Sequence, residues 1–293
     1  MEPLDGGDVP KSPMGFGLLN ADGSRYTKAT LAPTRGDQWK AFDREAMIGE
    51  QAVAVVMRDF FLDQGQRIVE ALSATVVDEL SAGRRLVNHT KALSPEQLYA
   101  IFDLDAEDLA LREAVLPVLG KIIAQAGSGA LTAIGSGIDF NMADPRVEAF
   151  LASKVMHLAG HVTNTTKEKL RSLLIDSVAD DMTVGQTATA IRDTFQDFSS
   201  TRALTIARTE VVGANNGAAV EGYRQSGVVK KKEWLTAGGN VRDSHVPMEG
   251  QVVATDQPFI SGYGNALHFP GDGNAPPEDV VNCRCAVLPV LED

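Results

Sequence analysis

One helical stretch in the C-terminal half constrains the fold more than any other part of the sequence. It runs from Thr201 to Gly227, and small or apolar residues recur in it at the spacing of one helix face, at Leu204, Ala207, Val211, Ala218 and Gly222. Ser199, Ser200 or Thr201 can cap its start, and Gly227 is a typical residue just beyond a helix end. The pattern predicts a helix whose small residues let a partner element approach closely.

The same helix face also carries large polar side chains. Arg208 and Asn215 lie on the small, apolar stripe, and Glu210 is close by. A large polar group on such a stripe is costly unless it finds hydrogen-bonding partners. We therefore predict that Arg208 is buried in a network that fastens this helix to the region after Gly227. The alternative is that Arg208 and Glu210 are catalytic.

Composition and charge exclude several classes of protein. The chain has 293 residues, enough for a large core or two domains, and its formal net charge of −12 argues against a surface that wraps nucleic acid. The basic run Lys230–Lys232 is interpreted as a solvated strand edge, and the alternative is that this run and the N-terminal arm bind DNA or the portal channel. The N-terminus lacks the pattern of a secretory signal, and no apolar run approaches the length of roughly 18 residues that a membrane span needs.

Periodicity along the chain predicts an α+β protein, in which a helical N-terminal region precedes a compact C-terminal domain of helices with a small antiparallel sheet. Residues 1–38 have no sustained period and are interpreted as an extended arm or linker. Residues 39–140 are predicted to form a helical attachment region. Residues 141–293 are predicted to form one domain, with helices to residue 227 and a cap of strands and loops over 228–293.

Local signals refine the helical part. The first long helical pattern is expected to be broken or bent near Gly65, and the glycine-rich run at 127–140 is expected to be a hinge or a tight packing site. A helix beginning at Pro145 is expected to end near Ala159, and Thr166 is expected to cap the next.

Three further helical features follow from the sequence. A short helix is expected over 97–102, and Thr183 is expected to cap another helix after it along the chain. His157 and His161 have the spacing of metal ligands on one helix face. They lack the glutamate of an HExxH motif, however, so a metal is not favoured there.

A set of motifs in fixed order resembles the phage Mu F-like head morphogenesis family, whose members are minor capsid proteins of tailed phages. The resemblance covers about Pro145 to Leu288. It is carried by IARTE (206–210), the pair Asn215-Asn216, Glu221 to Tyr223, KKKEWLTAGGNVRDSH (230–245), MEG (248–250), FPGDG (269–273) and NCRC (282–285).

The resemblance implies a structural role in a phage head, in head assembly or in DNA packaging or ejection. It implies association with the portal vertex, contacts with the portal protein and other head proteins, and several copies arranged around the portal. Packaged DNA is a further candidate partner, and no membrane is implied. The expected location is the virion head, and the host cytoplasm during assembly.

The two cysteines raise the question of a metal. Cys283 and Cys285 are too close in sequence for an unstrained disulfide, so we predict reduced thiols in a cytoplasmic-type compartment. In some relatives the loop carries two Cys at the positions of Arg242 and His245, and a His precedes the first Cys of CxC by three residues, which is typical of zinc. Here Val280 stands at that last position.

The candidate zinc ligands that remain in this chain are His245, Cys283 and Cys285, with His268 as a possible fourth ligand. Because two arginines would repel a cation, we predict no cofactor. The expected structural network instead consists of Arg208, Glu210, Asn215, Arg242, Asp243, His245, Asn282 and Arg284, with Arg242 and His245 bonded to the loop at Asn282–Cys285.

Most of these side chains could also serve an enzyme. Arg, Glu and His are used in nuclease and ADP-ribosyl-transfer chemistry, in which His moves protons and Arg holds anions. A toxin-like enzyme built on the C-terminal domain is therefore the alternative function. The sequence carries no Walker A motif, no Ser-His-Asp order and no carboxylate-rich two-metal pattern, so we predict a protein that is not an enzyme.

Overall fold

Helices make up most of the protein. The computed structural model describes residues 34–81, 101–180, 182–239 and 241–291. Its helices are α1 (Arg35–Ser81), α2 (Leu104–Ala133), α3 (Pro145–Ala179), α4 (Val184–Asp197), α5 (Ala203–Ser226) and the short α6 (Pro277–Val280). The five strands are β1 (Lys231–Leu235), β2 (Val252–Ala254), β3 (Phe259–Ile260), β4 (Ala266–Leu267) and β5 (Ala286–Val290). The predicted α+β class is confirmed.

The first helix is continuous, so the break predicted near Gly65 does not occur. Gly65 instead lets two helices come together, because a Cβ built on it would lie 2.7 Å from the Cβ of Phe195 on α4. The helix begins at Arg35, so the last residues of the predicted 1–38 arm are helical. The rest of that arm, and most of the predicted helix at 97–102, lie outside the described residues.

Side-chain caps define where the next two helices begin. The carboxylate of Asp103 accepts hydrogen bonds from the first turn of α2, and Asp144 with Pro145 begins α3 as predicted. The helix α3 then runs without a break to Ala179, so the predicted end near Ala159 is wrong. Thr166 is buried inside this helix and its hydroxyl donates to the carbonyl of Val162, which explains why it does not act as a cap.

The predicted helix around Thr201–Gly227 is confirmed, but its start differs. Thr183 and Gln186 form a capping box at the start of α4, as the sequence predicted for Thr183. From there a π-helical segment, Phe198–Arg202, leads directly into α5. No side chain caps α5, because the chain is already helical when it arrives. Gly227 ends the helix in the left-handed conformation, with φ of 69°.

A single hydrophobic core joins the five long helices. It includes Phe61 of α1, Leu119 of α2, Leu158 of α3, Ile191 of α4 and Val211 of α5. The core therefore contains residues from both sides of the predicted boundary at 140/141. The helix α5 is central to this arrangement, since it packs against α1, α2 and α3.

The glycine-rich run at 127–140 supplies a tight packing site. Its first part is the last turns of α2. A Cβ built on Gly222 of α5 would lie 3.0 Å from the carbonyl oxygen of Gly127, and a Cβ on Gly127 would collide with the ring of Phe140. Of the two alternatives for this run, close packing is the one that the structure supports.

The cap consists of two small antiparallel sheets. The strands β2, β1 and β5 lie side by side in that order, with Trp234 of β1 opposite Val287 of β5, and β3 pairs with β4. Trp234 is fully buried in a second hydrophobic cluster, which also contains Phe259, Cys283 and Cys285. This cluster reaches α5 through Val220 and Tyr223, which places the cap directly on that helix.

The helix α2 contains a stretch that is long and apolar enough to cross a membrane by length and composition alone. This differs from the prediction that no apolar run approaches the length of a membrane span. In the folded chain, one side of α2 is buried in the shared core through Leu111, Val115, Leu119, Ile122 and Ile123. The core helix of a bundle passes the same test, so this stretch is weak evidence for a membrane.

Candidate functional site

Asn216 is the main hydrogen-bonded link between α5 and the cap. Its side-chain nitrogen donates to the carbonyls of Pro270 and Cys285 at 3.2 and 3.0 Å, and to Val212 one turn earlier. Its oxygen accepts from the backbone N–H of Val287 at 2.8 Å. This buried amide thus uses both of its polar atoms to hold β5 and the 270 loop on the helix.

The predicted residue, Asn215, does not have this role. It is also buried, but its side chain makes no hydrogen bond to a described residue, and it lines a small cavity of about 290 Å³. Glu210, another predicted member of the network, pairs with Lys154 of α3 at 2.6 Å and therefore joins two helices. Neither side chain forms a hydrogen bond to the described strands of the cap.

Arg284 ties the cap to the first helix. Its guanidinium bonds to Asp43 at 2.7 Å and to Glu50 at 3.0 Å, both on α1. Its backbone carbonyl accepts a hydrogen bond from the indole nitrogen of Trp39 at 2.9 Å. The arginine between the two cysteines thus points away from them, and two carboxylates neutralise its charge.

The prediction that Arg208 is buried is wrong. Its side chain is 42% exposed, and its nearest charged partner is Glu50 at 3.8 Å. The same oxygen of Glu50 is bound by Arg284 at 3.0 Å, so Arg208 is left at a longer distance. Arg208 thus pairs only weakly with a carboxylate of α1 that Arg284 binds directly.

The remaining residues of the predicted structural network lie in the loops of the cap. Arg242 bonds to the carbonyls of Glu278 and Val281, just before the predicted Asn282–Cys285 target. The backbone N–H of Asn282 donates to the Thr209 hydroxyl at 3.0 Å, and Asn282 has a φ of 58°, which asparagine tolerates well. Asp243 is exposed, and no contact from its side chain to a described residue is recorded.

Replacing Arg284 with methionine should cost about 2–3 kcal/mol of unfolding free energy, because it leaves two partly buried carboxylates of α1 without their cation. The matched variant Arg208→Met should cost less than about 1 kcal/mol, since the Arg208 side chain is 42% exposed and lies 3.8 Å from Glu50, so solvent screens this pair. Urea unfolding of both variants measures this difference. Equal losses would contradict the assignment of Arg284 as the main link to α1.

His245, Cys283 and Cys285 form a buried cluster at the centre of the cap. The Nδ1 atom of His245 lies 3.7 Å from the sulfur of Cys283 and 3.5 Å from that of Cys285. All three side chains are at most 3% exposed, and the Trp234 ring packs edge-on against the imidazole. Both cysteines are free thiols, as predicted. His268 is exposed and does not join the three.

Asp279 lies behind the imidazole. Its carboxylate is 3.6 Å from Nε2 of His245 and accepts hydrogen bonds from Ser244 at 2.5 Å, Ser261 at 3.0 Å and Asn265 at 2.8 Å. Burial opposes ionisation here, but these donors outweigh it and lower the pKa of Asp279. A fully buried carboxylate therefore faces one nitrogen of His245, while the other nitrogen faces the thiols.

The environments of the two thiols differ. A hydrogen bond from the Cys285 thiol lowers the pKa of Cys283, and the same contact together with burial raises the pKa of Cys285.

The lysine run is only partly a solvated edge. Lys230 and Lys231 are exposed, whereas Lys232 is fully buried, which corrects the prediction. Strand alternation places Lys232 on the same face of β1 as Trp234. Its ammonium group donates to the carbonyls of Thr255 at 2.9 Å and His268 at 2.7 Å, so it links β1 to two loops.

Burial lowers the pKa of Lys232 to about 8. Arg224 acts in the same direction, whereas Asp256, Asp272 and Glu221 oppose the shift. An unfolded lysine keeps its proton to a pKa of about 10.4. Between these two values the unfolded chain holds a proton that the folded chain has released, so stability rises with pH across this window.

We expect the unfolding free energy of the wild-type protein to rise between pH 8 and pH 10.5, relative to Lys232→Met, by on the order of 1–3 kcal/mol. Chemical denaturation of both proteins at several pH values measures the difference in slope. Groups that titrate elsewhere cancel in this comparison. Parallel pH profiles, or a fall for the wild type relative to the variant, would contradict the depressed pKa.

A cleft of about 660 Å³ separates α3 and α5 from the loops of the cap. His157 and His161 line it, with ring centroids 6.5 Å apart. Within the described residues, the one group of three or more His, Cys, Asp or Glu residues that brings its ligand atoms within 4.8 Å is His245, Cys283 and Cys285. The histidine pair on α3 therefore has no third ligand in that part of the chain.

Comparison with known proteins relates the cap and the helices beneath it to a phage family. Residues 168–288 match the model of the family described as Phage Mu protein F like protein, which confirms the predicted resemblance over this segment.

A curated relative extends the similarity beyond that segment. The uncharacterized protein YqbB of Bacillus subtilis (strain 168) is 28% identical over 201 residues, which is 67% of this chain. The chain spans 65% of the length of that relative. No solved structure matches the chain.

Proposed function

We propose that this chain is a structural minor capsid protein of a tailed phage, which acts at the portal vertex during head assembly. Its partners are the portal protein and other head proteins, and packaged DNA is a further candidate. It resides in the virion head, and in the host cytoplasm while heads are assembled. The observation that carries the proposal is the match of residues 168–288 to the Mu F-like family.

The contacts of the signature residues support a role without catalysis. Glu210 is paired with Lys154, and Arg284 is paired with Asp43 and Glu50. His245, which would have to move protons in an enzyme, is 1% exposed, so a substrate has no access to it. These side chains hold elements of the fold together.

An exposed apolar stripe on α1 supports a role in attachment. Ile48, Val55 and Leu62 recur every seven residues and are 69%, 47% and 40% exposed. A seven-residue repeat of apolar side chains on one helix face is the pattern with which helices pack against partner helices. We therefore assign this stripe to contact with a head protein.

Incorporation into heads tests the proposal. Heads are purified from the phage that encodes the chain, and the protein is quantified and located by immunogold labelling. We expect labelling at one vertex of each head. Labelling spread over the shell would contradict the portal assignment, and absence from heads would contradict the proposal as a whole.

The double variant Ile48→Glu/Val55→Glu tests the stripe. It should fold as the wild type does, because both side chains are exposed, and its amount in heads should fall at least about tenfold if an apolar contact is replaced by charge. Leu204→Glu is the matched control, since Leu204 is 59% exposed on α5 and outside the stripe. Incorporation of the double variant at the control level would contradict the assignment.

The cleft between α3 and the cap is the feature on which the toxin-like alternative depends. It contains His157, His161 and Glu210, but Glu210 is engaged by Lys154. The full chain is incubated with RNA, DNA or NAD and products are measured. We expect none, and turnover abolished by His157→Ala would establish the enzymatic alternative.

A further inference from the structure

We propose that His245, Cys283 and Cys285 bind one zinc ion, with Asp279 as a positioning residue behind the histidine. The sequence alone favoured a cluster without metal, because two arginines were expected next to the thiols. The structure turns Arg284 away from the thiols and engages Arg242 in hydrogen bonds to the backbone beside the cluster. Arg284 is neutralised on α1 by Asp43 and Glu50, and Arg242 bonds to backbone carbonyls.

The distances in the cluster are those of a zinc site. Zinc binds sulfur at about 2.3 Å and imidazole nitrogen at about 2.0–2.1 Å in tetrahedral geometry, which places each sulfur about 3.6 Å from the nitrogen. The two separations here are 3.5 and 3.7 Å. A thiol-to-imidazole hydrogen bond has a similar length, but one nitrogen lone pair can accept from only one thiol. Both sulfurs nevertheless approach the same Nδ1 atom, as ligands of a shared ion do.

The second layer of the cluster fits the same assignment. A histidine that binds zinc usually presents its other ring nitrogen to a carboxylate, which fixes the tautomer. Nε2 of His245 is buried and has no hydrogen-bond partner among the described residues, and the carboxylate of Asp279 faces it at 3.6 Å. Ser244, Ser261 and Asn265 hold that carboxylate in place.

Charge also favours zinc in this buried position. The charges of two thiolates and one divalent cation cancel. The metal and its protein ligands together therefore have no net charge within the apolar cluster around Trp234 and Phe259. Zinc prefers cysteine sulfur and imidazole nitrogen as ligands, whereas magnesium and calcium prefer oxygen ligands such as carboxylates. The protein supplies three ligands, and a water molecule completes the tetrahedron.

Elemental analysis tests the assignment on the full chain, purified without chelator from zinc-supplemented medium. We expect about one zinc per chain in the wild type and in His268→Ala, and less than a tenth of that in Cys283→Ser and Cys285→Ser. Asp279→Asn should bind zinc about 10–100-fold more weakly in competition with a chromogenic chelator. Wild-type protein with little zinc, or cysteine variants that retain it, would overturn the proposal.

A second measurement covers the case in which the cysteine variants do not fold. Wild-type protein stripped by a chelator is titrated with cobalt(II), which gives a sulfur-to-cobalt charge-transfer absorption when thiolates bind it. A one-equivalent endpoint with this absorption supports the site, and its absence overturns it. The proposal does not depend on the function proposed above, since head incorporation and zinc content are measured separately.

Discussion

Replacing Gly213 with alanine should destabilise the protein by about 3 kcal/mol, near the upper end of the usual cost of overpacking. A Cβ on Gly213 would collide with the backbone carbonyl of Gly271 and would lie 2.6 Å from the ammonium group of Lys154. Backbone cannot move aside as a side chain can. The loop around Gly271 would have to lift away from α5, and the bonds of Asn216 would be strained with it.

The matched control is Gly160→Ala. Gly160 also lies inside a helix, but nothing lies within 4 Å of a Cβ built on it. This variant should gain about 0.5–1 kcal/mol from helix propensity. Denaturant unfolding of both proteins measures the contrast. If Gly213→Ala is as stable as Gly160→Ala, the close approach of α5 and the cap does not exist in solution.

Asn216→Ala should cost about 3–5 kcal/mol, because it removes three links from α5 to the cap and leaves buried backbone groups without partners. These groups are the N–H of Val287 and the carbonyls of Cys285 and Pro270. The loss should appear as a lower unfolding midpoint with an earlier loss of the Trp234 fluorescence signal.

Asn215→Ala is the control for this second prediction. Asn215 has the same side chain, is its neighbour on the same helix and is also buried. Since it makes no hydrogen bond to a described residue, its removal should cost less than about 1 kcal/mol. Similar losses in the two variants, or a larger loss for Asn215→Ala, would contradict the network described here.

Sequence patterns predicted helices and strands well where the signal for the element lies within a few neighbouring residues. The central helix, its end at Gly227 and the cap at Thr183 follow from residues close together in sequence, whereas the short strands β3 and β4 were not predicted. The breaks predicted at Gly65 and before Thr166 were wrong for one physical reason. Glycine and threonine weaken a helix locally, but Gly65 packs against Phe195, and Thr166 is buried with its hydroxyl satisfied by the Val162 carbonyl.

The network was predicted in kind but not residue by residue. Side chains at adjacent helix positions point about 100° apart. Because the sequence does not show which side of α5 faces the cap, it could not distinguish Asn215 from Asn216. The partners of Arg284 lie on α1, more than 230 residues earlier, and no local pattern connects them. Asp279 was missed because an acidic residue in a proline-rich loop resembles any solvated charge until its three donors are placed around it.

The central claim is that the signature residues of the Mu F-like segment join the cap and the bundle into one cooperative unit. Native-state hydrogen exchange of the wild-type protein and Asn216→Ala tests it most directly. We predict that the amides of β5 and of α5 exchange with the same opening free energy in the wild type, and that both fall together in the variant. If β5 exchanges much faster than α5 in the wild-type protein, the cap opens independently and the claim is contradicted.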